Sequence, residues 1–494
     1  AFDHRDIFID PNPDPATSYK ERERLFNLPR SSWQDYNQKL MSKGGGIFPR
    51  SAKSIPLSPE MQDLLHFDAT VKTATPNEVM RAILTSHADL LWFGGIGTYV
   101  KSTQENNSQV GDRANDAIRV DGRELNCTVV AEGGNLACTQ RGRIEYALKG
   151  GLINTDAVDN SAGVDCSDNE VNIKILLNAL VVDGKLTSQQ RDSLLVEMTD
   201  EVSKIVLNDN YLQTQAISLA RASSIRELDS FVRFMDDLEK SAHLDRELEF
   251  LPTDDELIDR TEKELGLTRP EISVLVAYAK MGLYDELMTS DFLDDPYLDK
   301  YLIRAFPIQL QTRYASEIAK HQLKRAIIAK EICNEIVNRG GIQAIKEETG
   351  AMAADIARAS IIAREVFSLT ALCEQIESLD YKAPATIQIL MLMDVEAFAR
   401  RQTIWFLNNT DTSRPLKDII EQFRPGVEKL FEGSAALPNA QDDSLNCKIA
   451  MYCEQNVDRE LAAHIANLEL TVAACDMVLV AQEMDIDILD VARA

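Results

Sequence analysis

The spacing of hydrophobic and polar positions changes once along this chain. Up to about residue 172, short apolar runs end in glycine or small polar residues and alternate with segments of helical spacing. From about residue 171 onward, apolar residues recur every three or four positions almost to the end. Alternating strands and helices indicate a parallel sheet with crossover helices. We therefore predict an α/β region followed by an all-α region.

Two of the apolar runs predict strands that end in glycine turns, and a third strand is predicted to begin at Leu152. Residues 88–100 have the pattern of a strand that breaks into a glycine loop, and residues 127–135 that of a strand followed by a turn. Between the second and third strands, residues 139–151 predict a helix with Thr139 as its N-cap. This order is typical of crossover connections within one parallel sheet.

The later part of the chain carries the start and stop signals of helices. Thr187 with Gln190, and Thr268 with Glu271, stand at the spacing of a capping box. Residues 385–409 predict one long, mostly buried helix. The clearest loops are predicted over 408–415 and 433–444.

Composition and charge exclude several classes of function. The chain has 494 residues and a formal net charge of −27, which repels phosphate backbones and argues against a nucleic-acid partner. No apolar run reaches the roughly 18 residues that a membrane span needs, and no signal peptide is recognisable. The eight cysteines include no CxxC pair and fit no zinc site, so we expect no metal and a reducing, cytoplasmic location.

Candidate chemistry lies where the predicted strands end. Ligands bind beyond the carboxyl ends of strands in open parallel sheets, and three stretches end strands there: FGGIGT (93–98), AEGGN (131–135) and NTDAVDNSAGV (154–164). The first matches neither the dinucleotide fingerprint nor a P-loop. An acidic residue such as Asp3 can bind ribose hydroxyls, although its position alone favours a turn aspartate. Cys166 is more simply a small filler than a nucleophile.

An ordered set of motifs then resembles the cofactor domain of the glutamate dehydrogenase superfamily. The set comprises Glu132, Gly133, Asn135, Thr139, Asp156, Asn160, Gly163, Val164, Ser167 and Glu170, with substitutions at positions 134, 155, 161 and 162. Stretches such as RLFNLPRSSWQDY, DLLWFGGIGTYVKS and LTRPEISVLVAYAK resemble the branch of large bacterial NAD-specific enzymes. The resemblance covers nearly the whole chain.

The resemblance implies oxidative deamination of L-glutamate to 2-oxoglutarate and ammonia, with NAD as the cofactor. The cofactor-binding residues that it implies are Asp3, Gly94, Gly95, Gly97, Glu132, Asn135 and Asn160. For the substrate it implies Val164 and Ser167, with the Ser167 hydroxyl offered to the side-chain carboxylate. It also implies an incomplete Rossmann-like domain over 1–180 and a helical carboxyl-terminal region over 181–494.

Three parts of the family pattern have no counterpart in this sequence. These are the catalytic lysine, its partner aspartate and the glycine-rich loop after the first strand of the cofactor domain. Lys43 stands beside glycines in SKGGG, but it lies within the implied cofactor domain, whereas the family's catalytic lysine precedes that domain. The chain also begins at Ala1, within a strand-like run. We therefore expect a carboxyl-terminal portion of a longer polypeptide that has no activity by itself.

Two other interpretations remain open at this point. The chain could belong to a dehydrogenase of another amino acid, such as leucine or valine, although an aliphatic substrate gives the Ser167 hydroxyl no carboxylate to bind. Alternatively, the helical half could be an oligomerisation or regulatory module that carries a remnant of the α/β domain. In either case we expect a homo-oligomer.

Overall fold

The computed structural model describes residues 1–240, 244–341, 343–433 and 443–493. The chain divides into two compact units. The first, here called the α/β unit, comprises Ala1–Ala162, Arg246–Thr253 and Thr268–Val274. The second, the helical unit, comprises Gly163–Asp245, Asp254–Leu267 and Leu275–Ala494. The prediction of an α/β region followed by a helical region is confirmed.

The α/β unit contains eight short strands in four pairs. The strands are β1 (Asp6–Ile9), β2 (Gly46–Pro49), β3 (Ile55–Pro56), β4 (Thr73–Ala74), β5 (Ala88–Phe93), β6 (Val100–Lys101), β7 (Val120–Asp121) and β8 (Cys127–Glu132). The pairs β1–β2 and β3–β4 are antiparallel, whereas β5–β8 and β6–β7 are parallel. The parallel pairs, separated in sequence by helices and turns, are the crossover pattern that the sequence predicts.

The helices of the α/β unit begin at caps that the sequence supplies. They are α1 (Pro15–Phe26), α2 (Pro59–Leu64), α3 (Pro76–Thr85), α4 (Asn107–Val110), α5 (Gln140–Leu148) and α6 (Asp156–Asp159). Thr75 accepts a hydrogen bond from Glu78 N ahead of a proline in the first turn of α3. Thr139 caps α5 as predicted, by accepting from Gly142 N at 3.0 Å.

The parallel sheet is open, as the family resemblance implies. Strand β5 pairs with β8 on one side, and the described residues place no strand on its other side. Its apolar side chains Leu90 and Trp92 are 55% and 67% exposed, which is unusual for a parallel strand. The predicted third strand is reduced to a single parallel bridge between Val129 and Leu152, because helix α6 begins only four residues later, at Asp156.

The helical unit consists of helices joined by short connections. They are α7 (Ser161–Val182), α8 (Ser188–Glu197), α9 (Thr199–Ser223), α10 (Leu228–Lys240), α11 (Asp254–Glu262), α12 (Arg269–Met288), α13 (Asp299–Arg304), α14 (Ile308–Ile318), α15 (Lys324–Asn338), α16 (Gln343–Thr349), α17 (Ala353–Val366), α18 (Leu369–Glu377), α19 (Ala385–Asn409), α20 (Leu416–Glu432), α21 (Asp443–Glu454), α22 (Arg459–Asn467), α23 (Ala474–Met484) and α24 (Ile488–Arg493). Two of these helices, α7 and α12, begin in the α/β unit.

Several predictions for the helical unit agree with these bounds. The capping box of Thr187 and Gln190 is present at the start of α8, and Thr268 N donates to Glu271 Oε2 at 2.7 Å. The predicted helix over 385–409 is α19. The loop predicted over 408–415 corresponds to the connection from α19 to α20, whereas 434–442 of the second predicted loop lie outside the described residues.

Helix α7 begins ten residues earlier than the hydrophobic spacing indicates. The residues of its first three turns are mainly small or polar, and most are exposed. Their sequence therefore lacks the apolar periodicity that predicts a helix. From Ile173 onward, Leu176, Leu177 and Leu180 enter the core of the helical unit. The two compact units therefore divide near the start of this helix, at Ala162, whereas the sequence prediction places the division at residue 180.

No single helix in the described parts of the chain is both long and apolar enough to cross a membrane. One bent pair, Arg459–Thr471 with Ala474–Met484, meets the test of length and composition only when its two helices are taken together.

Candidate cofactor site

The glycine turns after β5 and β8 begin side by side at one edge of the sheet. Phe93 and Glu132, the last residues of these strands, are paired in register. The backbone N–H of Gly134 donates to Phe93 O at 3.0 Å, and a Cβ on Gly134 would lie 2.7 Å from Gly95 O. The two turns therefore touch through their backbones, and the contact requires glycine at position 134.

The glycines after β5 face different surroundings. A Cβ added at Gly94 or Gly95 would meet no heavy atom within 4 Å, so the backbone there borders open space. Gly97 has φ +134°, and a Cβ on it would lie 2.7 Å from Asn115 Nδ2. Glycine is therefore required at position 97 by the backbone conformation of the turn. Gly94 and Gly95 leave the backbone accessible to another molecule.

Asn135 and Asn160 meet at this same edge. The Asn160 side-chain N–H donates to Asn135 Oδ1 at 2.7 Å, and both side chains lie in exposed surroundings. Asn135 follows β8, and Asn160 follows the last residue of α6. The structure thus brings together two residues that the family resemblance implies for the cofactor, with Asn135 exposed and Asn160 half-buried.

Glu132 lies beneath this edge and not on its surface. Its side chain is fully buried and accepts two hydrogen bonds from the Arg143 guanidinium, at 2.6 and 3.0 Å. It also accepts from Cys138 N at 3.0 Å. Burial raises the pKa of the Glu132 carboxyl, and Arg143 opposes that shift. In this structure Glu132 has no exposed atom with which to contact a cofactor, so its contribution is to hold the turn that follows β8.

Two aspartates of the polar stretch fix α6 to the end of β8. Asp156 Oδ2 accepts from Leu136 N at 2.8 Å, and its Oδ1 lies 3.0 Å from the Arg143 guanidinium. Asp159 Oδ2 accepts from Glu132 N at 2.9 Å, and burial raises the pKa of the Asp159 carboxyl. These carboxylates position Asn160, which immediately follows α6, beside Asn135.

Asp3 stands in a turn before β1. Its Oδ1 accepts from Arg5 N at 2.7 Å and from Asp6 N at 2.8 Å. Its neighbour Phe2 packs on Tyr99 with 5.9 Å between ring centroids, and Tyr99 stacks on Phe93 at 5.7 Å. These rings connect the turn of Asp3 to the start and end of the glycine loop after β5.

Comparison with known proteins gives consistent matches along the chain. Residues 1–220 match the model of the bacterial NAD-glutamate dehydrogenase catalytic domain, and residues 264–494 match that of the glutamate dehydrogenase C-terminal region. The NAD-specific glutamate dehydrogenase of Halomonas elongata is 48% identical over 489 residues, which is 98% of this chain. Its counterpart from Pseudomonas aeruginosa is 47% identical over 94% of the chain, and that from Mycobacterium tuberculosis 39% over 94%.

The chain belongs to the bacterial NAD-glutamate dehydrogenase family. It spans about 30% of the length of the relatives from Halomonas and Pseudomonas. The match to the catalytic-domain model includes the whole edge described above and continues through α7 and α8 into α9.

Val164 and Ser167, which the family resemblance implies for the substrate, lie on α7, in the helical unit. Val164 is 71% exposed and Ser167 is exposed, and they stand three positions apart, on one face of the helix. The Ser167 hydroxyl donates to Gly163 O at 3.3 Å, a bond at the long end of the usual range. Both side chains are therefore accessible to a ligand.

The residues that the sequence analysis did not identify mainly hold other site residues in place. Arg143 bridges Glu132 and Asp156 inside the α/β unit, and its position on α5 gives no signal before the fold is known. Lys43, which the sequence excludes as the catalytic lysine, forms an exposed ion pair with Glu60 at 2.7 Å. Among the residues that the structure describes, no group of three or more His, Cys, Asp or Glu side chains could hold a metal.

Proposed function

We propose that the α/β unit supplies the NAD-binding edge of a glutamate dehydrogenase. The observation that carries this proposal is the meeting of Asn135 and Asn160 beside the glycine turn at 94–97, at the carboxyl end of parallel strands. NAD would accept the hydride removed from the α-carbon of L-glutamate, which leaves an imine for hydrolysis to 2-oxoglutarate and ammonia. The names of the matched relatives agree with this activity.

The residues at the edge fit a dinucleotide. Gly94 and Gly95 leave the backbone open to a phosphate or a flat ring, and the amides of Asn135 and Asn160 can bond a carboxamide or ribose hydroxyls. Gly97 keeps the loop in the conformation that this approach needs. Glu132 would act from below through Arg143 and the backbone, as a positioning residue.

Asp3 is proposed to bind the adenosine ribose. A carboxylate can accept hydrogen bonds from ribose hydroxyls, and it repels a 2′-phosphate. Asp3 uses Oδ1 to hold its own turn, which fixes the orientation of the carboxylate. This role predicts a preference for NAD over NADP.

Val164 and Ser167 are proposed to contact the substrate. The Ser167 hydroxyl can donate to a side-chain carboxylate, which glutamate has and leucine or valine lacks. A site built around such a hydrogen bond discriminates against substrates that cannot make it. The exposure of both side chains on α7 supports this assignment.

We infer that none of the residues of this chain acts as the catalytic lysine or its partner aspartate. The isolated chain is then expected to bind NAD weakly and to leave glutamate unchanged. All eight cysteines are free thiols, which supports a cytoplasmic location. The net charge of −27 supports the absence of nucleic-acid partners.

The alternative, a helical module for self-association, has one observation in its favour. The helical unit exposes several large apolar side chains, namely Val182, Val196, Leu207, Met352 and Met484. Such side chains indicate an interface where they form one contiguous apolar patch. Sedimentation equilibrium tests it, because a strictly monomeric chain over the accessible concentration range would exclude the proposed homo-oligomer.

Calorimetric titration of this chain with NAD and with NADP tests the cofactor assignment. We expect binding of NAD that is weakened in Asp3→Ala, with NADP bound more weakly than NAD by the unmodified chain. Equal binding of both dinucleotides, with no effect of the Asp3 substitution, would contradict the role assigned to Asp3. A parallel assay of glutamate deamination by the isolated chain should show none.

A further inference from the structure

Arg50 stands at the end of strand β2, beside the turn of Asp3. The last residue of β2, Pro49, pairs with Asp6 of β1, and the backbone N–H of Arg50 extends this pairing by donating to Arg5 O at 2.7 Å. The half-buried guanidinium of Arg50 donates to Asp3 O at 3.2 Å. The Arg50 side chain is therefore bonded to the same turn that orients the Asp3 carboxylate.

The positive charge of Arg50 is not paired with a carboxylate. Among the residues that the structure describes, the one partner of its guanidinium is Asp3 O. Other arginines of the α/β unit, namely Arg81, Arg119 and Arg143, each form an ion pair with an acidic side chain. A guanidinium has five N–H donors, so most of those of Arg50 have no partner within the described residues. They can bind an anion.

Aromatic rings join the turn of Asp3 to the glycine turn after β5. Phe2, which precedes Asp3, packs on Tyr99 with 5.9 Å between ring centroids. A Cβ on Gly97 would lie 3.0 Å from the Tyr99 hydroxyl, so this hydroxyl borders the glycine turn. Burial raises the pKa of Tyr99, and the charge of Arg50 opposes that shift. Arg50 is thus bonded to one turn, and its charge acts on the hydroxyl that borders the other.

A dinucleotide that spans these two turns places its pyrophosphate between them. The proposed function assigns the adenosine ribose to Asp3 and the other end of NAD to the edge of Asn135 and Asn160, and the pyrophosphate joins the two riboses. This group is negatively charged, as are the Asp3 carboxylate and the chain as a whole, with a net charge of −27. A local cation offsets their repulsion, and arginine binds phosphate oxygens through paired N–H groups.

We infer that Arg50 binds the pyrophosphate of NAD while one of its N–H groups holds the turn of Asp3. The inference rests on the proposed function, because it requires NAD at this edge. In the stretch SKGGGIFPR, the sequence draws attention to Lys43, whose exposed ammonium pairs with Glu60. Arg50 becomes recognisable only once β1 and β2 are paired. Asp3 then recognises the ribose, and Arg50 supplies the charge for the phosphates.

Calorimetric titration of the protein at its natural length with NAD, ADP and adenosine tests this role. Arg50→Gln removes the charge but keeps an amide that can donate to Asp3 O. We expect this variant to bind NAD and ADP roughly tenfold more weakly, and to bind adenosine, which has no phosphate, as the unmodified protein does. Arg50→Lys restores the charge without the planar guanidinium and should recover part of the loss.

Lys72→Ala is the matched control. Lys72 is another basic residue of the α/β unit whose side chain donates to a backbone carbonyl, that of Ala69, at 2.7 Å. Its removal should leave all three affinities unchanged. An equal loss for NAD, ADP and adenosine in Arg50→Gln overturns the inference, because Arg50 would then act only through the turn of Asp3. Unchanged binding of NAD and ADP in Arg50→Gln, or an equal loss in Lys72→Ala, overturns it as well.

The same titrations distinguish a failure of this inference from a failure of the proposed function. If Asp3→Ala weakens the binding of NAD and adenosine alike, while Arg50→Gln binds NAD and ADP normally, the cofactor site stands and only the role of Arg50 is wrong. If the unmodified protein binds no NAD, the proposed function is wrong, and the inference about Arg50 is overturned with it.

Discussion

The side-chain amide of Asn160 donates a hydrogen bond to Oδ1 of Asn135 over 2.7 Å. The two residues are 25 positions apart and follow different elements, yet they meet at the carboxyl edge of the β5–β8 sheet. Asp156 and Asp159 fix the short helix before Asn160 to the end of β8. This juxtaposition is the reason for placing the cofactor at this edge.

Replacement of Asn160 by alanine should weaken NAD binding. The substitution removes one hydrogen-bonding amide and leaves Asn135 without its fixed orientation, at a cost of about 1 kcal/mol, or roughly fivefold in Kd. Calorimetry of the protein at its natural length measures the change. Asn27→Ala is the control, because Asn27 is also an exposed amide but bonds only its own helix, through Glu23 O. An equal loss of affinity in both variants would contradict the assignment.

Gly94→Ala should weaken NAD binding without a change in stability, whereas Gly134→Ala should lower stability. A Cβ on Gly94 meets nothing within 4 Å, so we expect unchanged stability and weaker NAD binding. A Cβ on Gly134 would lie 2.7 Å from Gly95 O, so we expect a loss of about 1–3 kcal/mol in unfolding free energy. Thermal unfolding and calorimetry separate the two outcomes. Unchanged affinity in Gly94→Ala would show that the cofactor does not approach this turn.

Glu132→Gln should destabilise the α/β unit strongly. The substitution leaves the buried Arg143 guanidinium without its main counter-charge, which costs about 3–5 kcal/mol when one partner of a buried pair is removed. Denaturant unfolding measures it. Glu60→Gln removes a partner from the exposed Lys43 pair and should change nothing measurable. A small effect of Glu132→Gln would mean that the turn after β8 does not depend on this network.

Glu396→Gln should flatten the pH dependence of stability in the helical unit. Burial raises the pKa of Glu396 to about 7, so the folded state binds a proton that the unfolded state releases above about pH 4.5. The stability of the unmodified chain should therefore fall as pH rises from about 4.5 to 7, by on the order of 2 kcal/mol from this group. Urea unfolding at several pH values, compared with the variant, measures the difference. Parallel curves for the two proteins would contradict it.

The sequence predicts the elements of the α/β unit that have strong local signals. The strand at 88–93, the strand at 127–132 and the cap at Thr139 are found as expected, because apolar runs, glycine turns and capping residues act locally. The start of α7 escapes prediction, since its first turns bury little and show no apolar periodicity. The third strand shrinks to one bridge for a similar reason, namely the early start of α6.

The sequence predicts which residues lie at the site, but not which of them are exposed and which are buried beneath it. Sequence motifs indicate Asn135 and Asn160, and the fold brings them together. The same motifs indicate Glu132 equally well, but Arg143 draws its carboxylate into the core. Burial of one motif residue beneath another depends on packing across α5 and β8, which no local pattern records.

A structure of the protein at its natural length with NAD bound tests the central claim most directly. The account predicts that the cofactor lies along the glycine turn at 94–97, with a polar group of the dinucleotide within hydrogen-bonding distance of the Asn135 or Asn160 amide. A cofactor bound elsewhere, with these two side chains bonded only to each other and remote from it, would contradict the account.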